Sequence, residues 1–482
     1  MAEPAEPSNP PAPSGGSERR TLGKRLVTVA LAAAVWLAPV PAGLTAPAWH
    51  LFAIFAAAIL SVIIGAFPIL TASLLALAAA VLSRTISPAD AYAGFANSTI
   101  LLIVVAFLVA RAVVKCGLGE RLGYRAITIF GRSSLGLGYS IFIVDGLIAP
   151  AFPSNTARSG VLYPLAFSVA QAAGASPDAP DRRRLGQFLM FAGIASLSLS
   201  SALWLTAMAA NPLGVEIGRE FGLRASFGSW LVASSVPTLA AMVLLPLLLF
   251  RVIRPEVTAT PEAPAAARAA LAQRGPLTRN EKIVGLTFLG MVVLWGAAAS
   301  FDLDSTAVAL LGLGVLLATG VLTLGDIARE GDVLATFIWF AALFSLSSQL
   351  NGLGFMAYLG DRLAAVMRGM TPLTAGVLLV TSYVLLHYLF VSQTAHLLAL
   401  FGVFLGVGVT LGLAPGPVGF QLLFATNYFS PITPQGSSAN LLFAGSGYFR
   451  PGELYRLGAI STGFCLALYL IVGTPWLLLV AR

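Results

Sequence analysis

Two short polar stretches interrupt apolar sequence, and both consist of residue types that can bind an anion. They read PSNTARSG at residues 153–160 and VSQTAHLL at residues 391–398. Each contains a Ser-x-Thr-Ala sequence followed by a basic residue. Ser, Asn and Thr side chains cap the free N–H groups at the start of a helix, and such a helix start attracts negative charge. The polar candidates for anion binding are Ser154, Asn155, Thr156, Ser392, Gln393 and Thr394.

Arg158 and His396 follow the two Ser-x-Thr triplets and add basic groups at equivalent places. An arginine at the centre of a bilayer costs about 2.5–3.5 kcal/mol on insertion scales, so it needs a partner or a function. One interpretation is a buried ion pair with Asp145, and the other is a fixed charge that holds an anion in place of a bound cation. His396 is either a neutral core residue or a second such charge. We interpret His387 as structural, because the two histidines lack the spacing of a metal site.

A second polar interruption follows each of these stretches, at residues 198–212 and 430–440. Proline and glycine residues in both segments, among them Pro212, are expected to break helices where backbone carbonyls face a cavity. The alternative is that the Ser and Thr side chains only join neighbouring helices within lipid. The candidates for the wall of a site are Thr206, Asn211, Ser437, Ser438 and Asn440.

The composition is that of a membrane protein. Of 482 residues, 57% are hydrophobic and 10% are charged, whereas soluble domains contain about 25% charged residues. Continuous apolar segments favour an all-α polytopic fold over a β-barrel. The sequence contains no nucleophile–base arrangement, phosphate-binding glycine loop, or haem or flavin signature. We therefore predict that the protein is not an enzyme and has no cofactor and no metal site.

An internal repeat divides the chain into two halves. Each half has a Gly-Leu-Gly triplet, at Gly117 and at Gly352, which precedes its polar stretch by a similar distance: Ser154 lies 37 residues after Gly117, and Ser392 lies 40 residues after Gly352. Short apolar arms on both sides of a polar tip predict two re-entrant hairpins, at about 134–174 and 372–412. We expect the arms at 141–152 and 379–391 to be too short to cross the bilayer alone. Paired interruptions at equivalent positions of inverted repeats are typical of a transporter site.

Eleven membrane spans account for the remaining apolar sequence. They are predicted at about 26–42, 49–65, 67–83, 97–115, 185–211, 227–250, 283–300, 305–323, 334–350, 416–445 and 454–479. We expect residues 1–24 to form a disordered cytoplasmic tail, 25–254 the first half, 255–282 a cytoplasmic linker with a short helix, and 283–482 the second half. With the amino terminus inside, 21 of 28 Lys and Arg residues are cytoplasmic, six are outside, and Arg158 is within the membrane. This is the positive-inside pattern, so the net charge of +8 indicates topology and not nucleic-acid binding.

Several motifs resemble the divalent anion:sodium symporter family. They are the two polar stretches together with AWHLFAIF, ALWLTAMAANPLG and FAGSGYFRPGELYRLG. Within the family, the resemblance is greatest to citrate carriers and 2-oxoglutarate/malate translocators. It implies a homodimer that works by an elevator mechanism, with Ser154, Asn155, Thr156, Ser392 and Thr394 in contact with substrate carboxylates. Sodium-coupled relatives have Asn at the middle position of the second motif, where this chain has Gln393.

We therefore expect a dicarboxylate exchanger for malate, succinate or 2-oxoglutarate in the inner membrane of a bacterium, with a cytoplasmic amino terminus. A dianion that leaves water needs compensating charge, which Arg158 and a protonated His396 would supply instead of Na⁺. The alternatives are a Na⁺-coupled symporter for dicarboxylates, tricarboxylates or sulfate, and a membrane receptor that binds anions without moving them.

Overall fold

The computed structural model describes residues 15–178 and 183–481, and all of its regular elements are helical apart from one isolated β-bridge between Ser133 and Ala259. The all-α prediction is therefore confirmed. Residues 1–14 of the predicted tail lie outside the described residues, and the first helix begins at Gly15, upstream of the predicted first span.

The structure describes eleven α-helices in the first half, outside residues 179–182. They are α1 (Gly15–Leu37), α2 (Ala46–Ile63), α3 (Ile69–Leu82), α4 (Pro88–Tyr92), α5 (Ser98–Cys116), α6 (Leu118–Phe130), α7 (Ser134–Ile148), α8 (Asn155–Ala172), α9 (Arg183–Leu203), α10 (Ala210–Arg219) and α11 (Phe227–Ile253). Helix α12 (Glu262–Arg274) lies in the predicted linker.

The second half contains the remaining twelve. They are α13 (Arg279–Phe301), α14 (Ser305–Ala318), α15 (Leu324–Ala328), α16 (Gly331–Gly352), α17 (Phe355–Val366), α18 (Pro372–Leu386), α19 (Gln393–His396), α20 (Gly402–Thr410), α21 (Pro415–Tyr428), α22 (Ser438–Ala444), α23 (Pro451–Leu468) and α24 (Thr474–Val480). A π-helical turn at Leu397–Phe401 joins α19 to α20.

The two halves repeat the same order of elements. In each half a 14-residue helix (α3, α14) precedes a five-residue helix (α4, α15) and a long helix (α5, α16). A short helix then follows a left-handed glycine, at Gly117 with φ 74° before α6 and at Gly354 with φ 85° before α17. A 15-residue helix (α7, α18) ends in a three-residue 3₁₀ turn before the return helix. The repeat predicted from two motifs thus extends over nearly all elements of each half.

Ten helical segments in the described ranges are long and apolar enough to cross a membrane, and two shorter apolar helices, α3 and α14, accompany them. Each of the eleven predicted spans contains a helix. Three of the ten segments are hairpin arms, at Ser134–Ala151, Pro372–Leu389 and Gln393–Thr410. The arms are longer than expected, because α7 and α18 begin several residues earlier, where Ser133 and Thr371 cap their first turns.

Helix α9 is buried between the first hairpin and helices of both halves. Every residue from Leu185 to Leu203 is buried, as expected for a helix that is covered on all sides. It contacts both arms of the first hairpin as well as α11 and α21. A β-carbon at Gly193 would lie 2.3 Å from the ring of Phe443, so only glycine permits this close approach.

Helices α9 and α21 are each followed by a break and a short helix. The first break is the segment 204–209, with a 3₁₀ turn at Leu205–Ala207, and the second is the segment 429–437, with a 3₁₀ turn at Ser430–Ile432. Pro212 does not form the first break, in contrast to the sequence prediction. It occupies the first turn of α10, where a missing N–H group removes no helical hydrogen bond.

The linker packs against the base of the first hairpin. The backbone N–H of Ser134 donates to the carbonyl of Thr258 at 3.0 Å, and the hydroxyl of Thr260 donates to the carbonyl of Gly131 at 2.8 Å. Farther along, Arg121 of α6 forms a buried ion pair of 2.7 Å with Glu281 of α13. The first two contacts fasten the linker to the base of the first hairpin, and the ion pair fastens α6 to the first turn of α13.

Candidate anion-binding site

The two polar stretches form the tips of the hairpins, and each begins a helix in the same way. Ser154 accepts a hydrogen bond from the N–H of Ala157 at 3.2 Å, and Ser392 accepts one from the N–H of Ala395 at 3.3 Å. The backbone angles of the two serines are also alike, with φ −139° and ψ 121° against φ −149° and ψ 127°. The remaining first-turn N–H groups have no partner within their helices. Two helix starts with free donors therefore occupy equivalent places.

The two tips touch each other through Asn155 and Gln393. The Asn155 amide Nδ2 donates to Gln393 Oε1 at 3.1 Å, across 238 residues of sequence. Gln393 Nε2 in turn donates to the carbonyl of Thr426 at 2.8 Å. Both amides are nearly fully buried. The longer Gln side chain thus spans from the first tip to the carboxyl end of α21.

The hydroxyl groups of the tips are more accessible than the amides. Thr156 is exposed, and its Oγ1 lies 2.6 Å from Oγ of Ser438, the first residue of α22. Ser154 and Ser392 are half-buried, whereas Thr394 is 8% exposed. The accessible polar surface therefore consists of hydroxyl groups supported by the buried amide pair.

Arg158 is fully buried behind the first tip and is held by side chains of α7, α8 and α9. Its NH1 group lies 3.1 Å from Asp145 Oδ1 and donates to Ser200 at 2.5 Å. Its NH2 group donates to Asn155 Oδ1 at 2.5 Å and also to Ser201. Both members of the ion pair have 0% exposed side chains. The guanidinium group is therefore fixed between a carboxylate and the amide that supports the tip.

This arrangement combines the two interpretations of Arg158 that the sequence left open. Asp145 is the ion-pair partner, and Asn155 connects the guanidinium group to the contact between the tips. The guanidinium is fully buried, so its only direct connection, among the described residues, to the contact between the tips is the hydrogen bond to Asn155 Oδ1. The role of Arg158 in charge compensation remains a prediction.

His396 lies behind the second tip in a cage of aromatic rings. The ring centroids of Tyr383, Phe429 and Phe390 are 4.4, 4.7 and 4.8 Å from that of His396. The imidazole is fully buried, and its Nδ1 lies 3.4 Å from Nδ1 of His387. Arg158 and His396 thus occupy equivalent positions but different surroundings, one polar and one aromatic.

The hydrogen bonds define the neutral forms of the two histidines. The carbonyl of Gly436 lies 2.9 Å from Nε2 of His387 and can only accept, so that nitrogen carries the proton. Nδ1 of a neutral His387 must then accept from Nδ1 of His396. This leaves Nε2 of His396 unprotonated and without a hydrogen-bond partner. It is the position that an added proton would occupy, and the charge of His396 during transport remains a prediction.

Most of the predicted wall residues stabilise the helix breaks. Thr206 donates to the carbonyl of Pro150 at 2.9 Å, and Asn440 donates to the carbonyl of Ser430 at 2.9 Å. Asn211 donates to the carbonyl of Ser201 in the last turn of α9 and to that of Trp204 in the first break, and it accepts from Asn427 of α21 at 2.8 Å. These side chains fix the shape of the breaks. Of the remaining two candidates, Ser438 reaches the first tip, and Ser437 precedes α22 without a side-chain capping bond.

Four residues that support the tips are not among the residues predicted from the sequence. Ser200 and Ser201 hold Arg158, and Thr426 and Asn427 provide the backbone carbonyls that hold Gln393. The serine-rich run SLSLSS on a helix that must be buried was the available signal for the first pair. Among the described residues, no group of three or more His, Cys, Asp or Glu side chains could share a metal ion.

A protein family and several named proteins match almost the whole chain. The family described as the sodium:sulfate symporter transmembrane region matches residues 19–481. YflS of Bacillus subtilis (strain 168) is 38% identical over 453 residues, which cover 94% of this chain and 95% of YflS. Dicarboxylate transporter 2 of Spinacia oleracea chloroplasts is 35% identical, and the match covers 94% of this chain and 82% of that transporter. The citrate/succinate antiporter of Escherichia coli (strain K12) is 30% identical, and the match covers 94% of this chain and 97% of the antiporter.

A solved structure shows the same fold. The YdaH transporter of Alcanivorax borkumensis, described as having an unusual topology, superposes with a TM-score of 0.57 at 16% identity, over 96% of this chain and 99% of YdaH. The repeated architecture, the paired hairpin tips and these matches lead to one assignment. The chain belongs to the sodium:sulfate symporter family of membrane transporters, the divalent anion:sodium symporters.

Proposed function

We propose that this protein exchanges dicarboxylates across a membrane without coupling to Na⁺. The observation that carries the proposal is the contact between Asn155 and Gln393, because it brings two helix starts of opposite hairpins to one place. Related proteins named as dicarboxylate transporters and as a citrate/succinate antiporter support the choice of substrate class. Malate, succinate and 2-oxoglutarate each carry two carboxylates, one for each tip.

The tips bind the substrate through neutral donors. Each helix start directs free N–H groups and the positive end of its dipole toward the ligand. The hydroxyls of Ser154, Thr156 and Ser392 add hydrogen bonds at the accessible surface, and Thr394 extends the second tip. Carboxylates that exchange water for such donors form charge-assisted hydrogen bonds, which are stronger than neutral ones.

Positive charge behind the tips then replaces mobile cations. Arg158 directs its NH2 group toward Asn155 at 2.5 Å, while Asp145 lies at its other terminal nitrogen, so the positive end of the pair faces the tip. A proton on Nε2 of His396 would add charge behind the second tip, beside the aromatic rings that surround the imidazole. If His396 carries this charge, exchange weakens as the pH rises and the proton is lost. Flat exchange from about pH 6 to 9, which spans the usual histidine titration, would remove His396 from the charge compensation.

Fixed charges favour exchange over net transport. The Arg158–Asp145 pair is neutral as a whole, so the net positive charge of an empty site comes from the added proton on His396, and carrying that charge through the bilayer without a substrate raises the barrier for the unloaded protein. A bound dianion lowers this barrier, so each crossing requires a substrate. Motion of the hairpin bundle as a rigid unit against the remaining helices provides alternating access. We further propose a homodimer in the bacterial inner membrane, with a cytoplasmic amino terminus as the positive-inside pattern indicates.

The decisive experiment is counterflow into proteoliposomes. Vesicles preloaded with malate and empty vesicles are given labelled succinate, with and without a Na⁺ gradient. We expect rapid uptake only into the preloaded vesicles, at equal rates in both salts. Uptake into empty vesicles that follows the Na⁺ gradient would disprove the exchange mechanism. A panel of dicarboxylates, citrate, tartrate and sulfate then defines the substrate.

The family description favours one alternative, a Na⁺-coupled symporter of sulfate or of di- or tricarboxylates. In that case Na⁺ is the only ionic cofactor, and uptake into empty vesicles depends on it. The same assay therefore separates the two functions. Tight succinate binding without counterflow in either salt would indicate a receptor that does not transport.

A further inference from the structure

Helix α10 is fastened to α5 by a carboxylate. Glu216 Oε1 accepts from Nδ2 of Asn97, the capping residue of α5, at 3.3 Å. Its Oε2 accepts from Oγ1 of Thr99 at 3.2 Å. Arg219, one turn along α10, pairs with the same carboxylate at 2.7 Å. Glu216 thus joins the helix that follows the first break to the amino-terminal turn of α5.

A second carboxylate fastens the end of α10 to a different helix. Glu220, the residue that ends α10, accepts from Oγ of Ser348 at 2.9 Å and from Nδ2 of Asn351. Both partners lie in the last turns of α16, which is the repeat counterpart of α5. Two carboxylates four residues apart therefore hold α10 against both helices of one repeat-related pair.

The position of α10 is coupled directly to the anion site. Asn211 in its first turn bonds Trp204 of the first break and Asn427 of α21, and Gln393 of the second tip bonds the carbonyls at the same end of α21. Glu216 lies five residues after Asn211, or about 7.5 Å along a helix that rises about 1.5 Å per residue. Movement of α10 away from α5 and α16 thus displaces the groups that support the tips.

The repeat counterpart of α10 lacks this attachment. Helix α22 has the sequence SANLLFA, which contains no acidic residue. Its side-chain hydrogen bonds run to the first hairpin tip and to the second break, through Ser438 and Asn440. Among the described residues, α10 is therefore held to two neighbouring helices by carboxylates, whereas α22 is not. Such asymmetry between inverted repeats distinguishes one access state from the other.

A cavity adjoins the fastened side. It has a volume of about 340 Å³ and is lined by residues of α5, α10 and the loop between α13 and α14, with Leu205 of the first break in its wall. Glu216 lines the same cavity. Release of α10 would widen this space toward the break.

We propose that Glu216 and Glu220 are positioning residues that latch α10 to α5 and α16 and thereby hold the transporter in the access state of this structure. They act on the site through α10 and touch no substrate. The inference deepens the proposed transport function and rests on it. Loss of the latch shifts the population toward the other access state without removing any residue of the tips.

The test measures accessibility of the first break in the whole protein. Leu205→Cys is introduced after Cys116→Ser and Cys465→Ala have removed the native thiols, and the rate of labelling by a maleimide is followed in nanodiscs. We expect Glu216→Ala with Glu220→Ala to change the labelling rate by at least about fivefold, the lower end of typical coupling energies. Arg219→Ala is the matched control, because Arg219 lies on α10 and contacts Glu216 but bonds neither α5 nor α16. We expect its labelling rate to stay near that of the parent protein.

Two further measurements make the result unambiguous. Thr99→Val with Ser348→Ala removes one of the two partners of each carboxylate while keeping both carboxylates. It should change the labelling rate in the same direction, and it serves as the test if the double glutamate variant does not fold. The thermal shift caused by succinate should persist in the latch variants, since the tips are intact. Labelling rates equal to the parent in both pairs of variants would overturn the latch. Absence of any succinate response in the parent protein would instead contradict the proposed function.

Discussion

Arg158→Ala removes one member of an ion pair in which both side chains are fully buried. Breaking a buried pair costs about 3–5 kcal/mol, because the remaining charge has no partner. At 25 °C this is about a 150- to 5,000-fold change in the folding equilibrium. The serine and amide groups that hold the guanidinium also lose a donor. We therefore expect a marked fall in thermal stability in detergent, together with loss of counterflow.

The double change Arg158→Ala with Asp145→Ala separates stability from transport. Without either charge, part of the stability should return, with a coupling energy of about 0.5–3 kcal/mol for groups in one network. Counterflow should not return, because the positive charge behind the tip is absent. The readouts are thermal unfolding in detergent and exchange per folded protein in preloaded vesicles. A double variant that exchanges at the rate of the parent would show that Arg158 only balances Asp145, and the charge-compensation reasoning would fail.

A second buried ion pair provides the matched control. Arg121 pairs with Glu281 at 2.7 Å, with side chains that are 6% and 1% exposed, on α6 and α13 and remote in sequence from the tips. Arg121→Ala should lower stability by a comparable amount, whereas exchange per folded protein should remain near that of the parent. Equal loss of exchange in both arginine variants would mean that instability alone explains the effect of Arg158→Ala.

Three further predictions test the supports of the site and of the fold. Gln393→Asn shortens the side chain that accepts a hydrogen bond from Asn155. Loss of one hydrogen bond of about 1 kcal/mol should raise the KM for exchange about fivefold. An unchanged KM would show that the contact between the tips does not support binding. Asn211→Ala leaves buried carbonyls without donors and should cost about 1–3 kcal/mol in unfolding free energy for each, as measured by thermal denaturation. Hydrogen bonds from Lys115 and from Thr323, the capping residue of α15, lower the pKa of Asp326. The contribution of Asp326 to stability is therefore present above the ordinary Asp pKa of about 3.9, and it is lost only as the pH falls through the lower folded pKa. The Tm difference between the parent and Asp326→Asn should therefore be constant from about pH 5 to 8, above the ordinary titration range, and a difference that disappears within this range would contradict the assignment.

The sequence predicts local chemistry well because capping and periodicity act over a few residues. Ser154 and Ser392 are recognisable from their triplets, and both begin helices as expected. The segments of the two predicted hairpins fold as paired helices that begin and end close to the predicted limits. The arms were underestimated, since their helices extend back beyond the predicted apolar runs through polar residues such as Ser140 and Thr374.

Contacts between distant parts of the chain escaped the sequence analysis. The bond from Asn155 to Gln393 depends on how two halves pack, and neither residue type indicates its partner. The equivalence of Arg158 and His396 is visible in the repeat, but their surroundings differ because Ser200 and Ser201 line one position and Phe429 lines the other. Glu216 and Glu220 of α10, which have no acidic counterparts on α22, are visible in the sequence. Their bonds to α5 and α16 become visible only in the folded structure.

The linker determines when the first hairpin can be completed during synthesis. Ser134 at its base bonds the carbonyl of Val257, which lies 123 residues later, and Asn155 at its tip bonds a residue that lies 238 residues later. At about 5–20 residues per second, the ribosome needs about 6–25 s to supply the first partner and about 12–48 s to supply the second. During these intervals the nascent hairpin must keep its polar groups in contact with water or with the insertion machinery, so the correct order of membrane insertion is a requirement of this architecture.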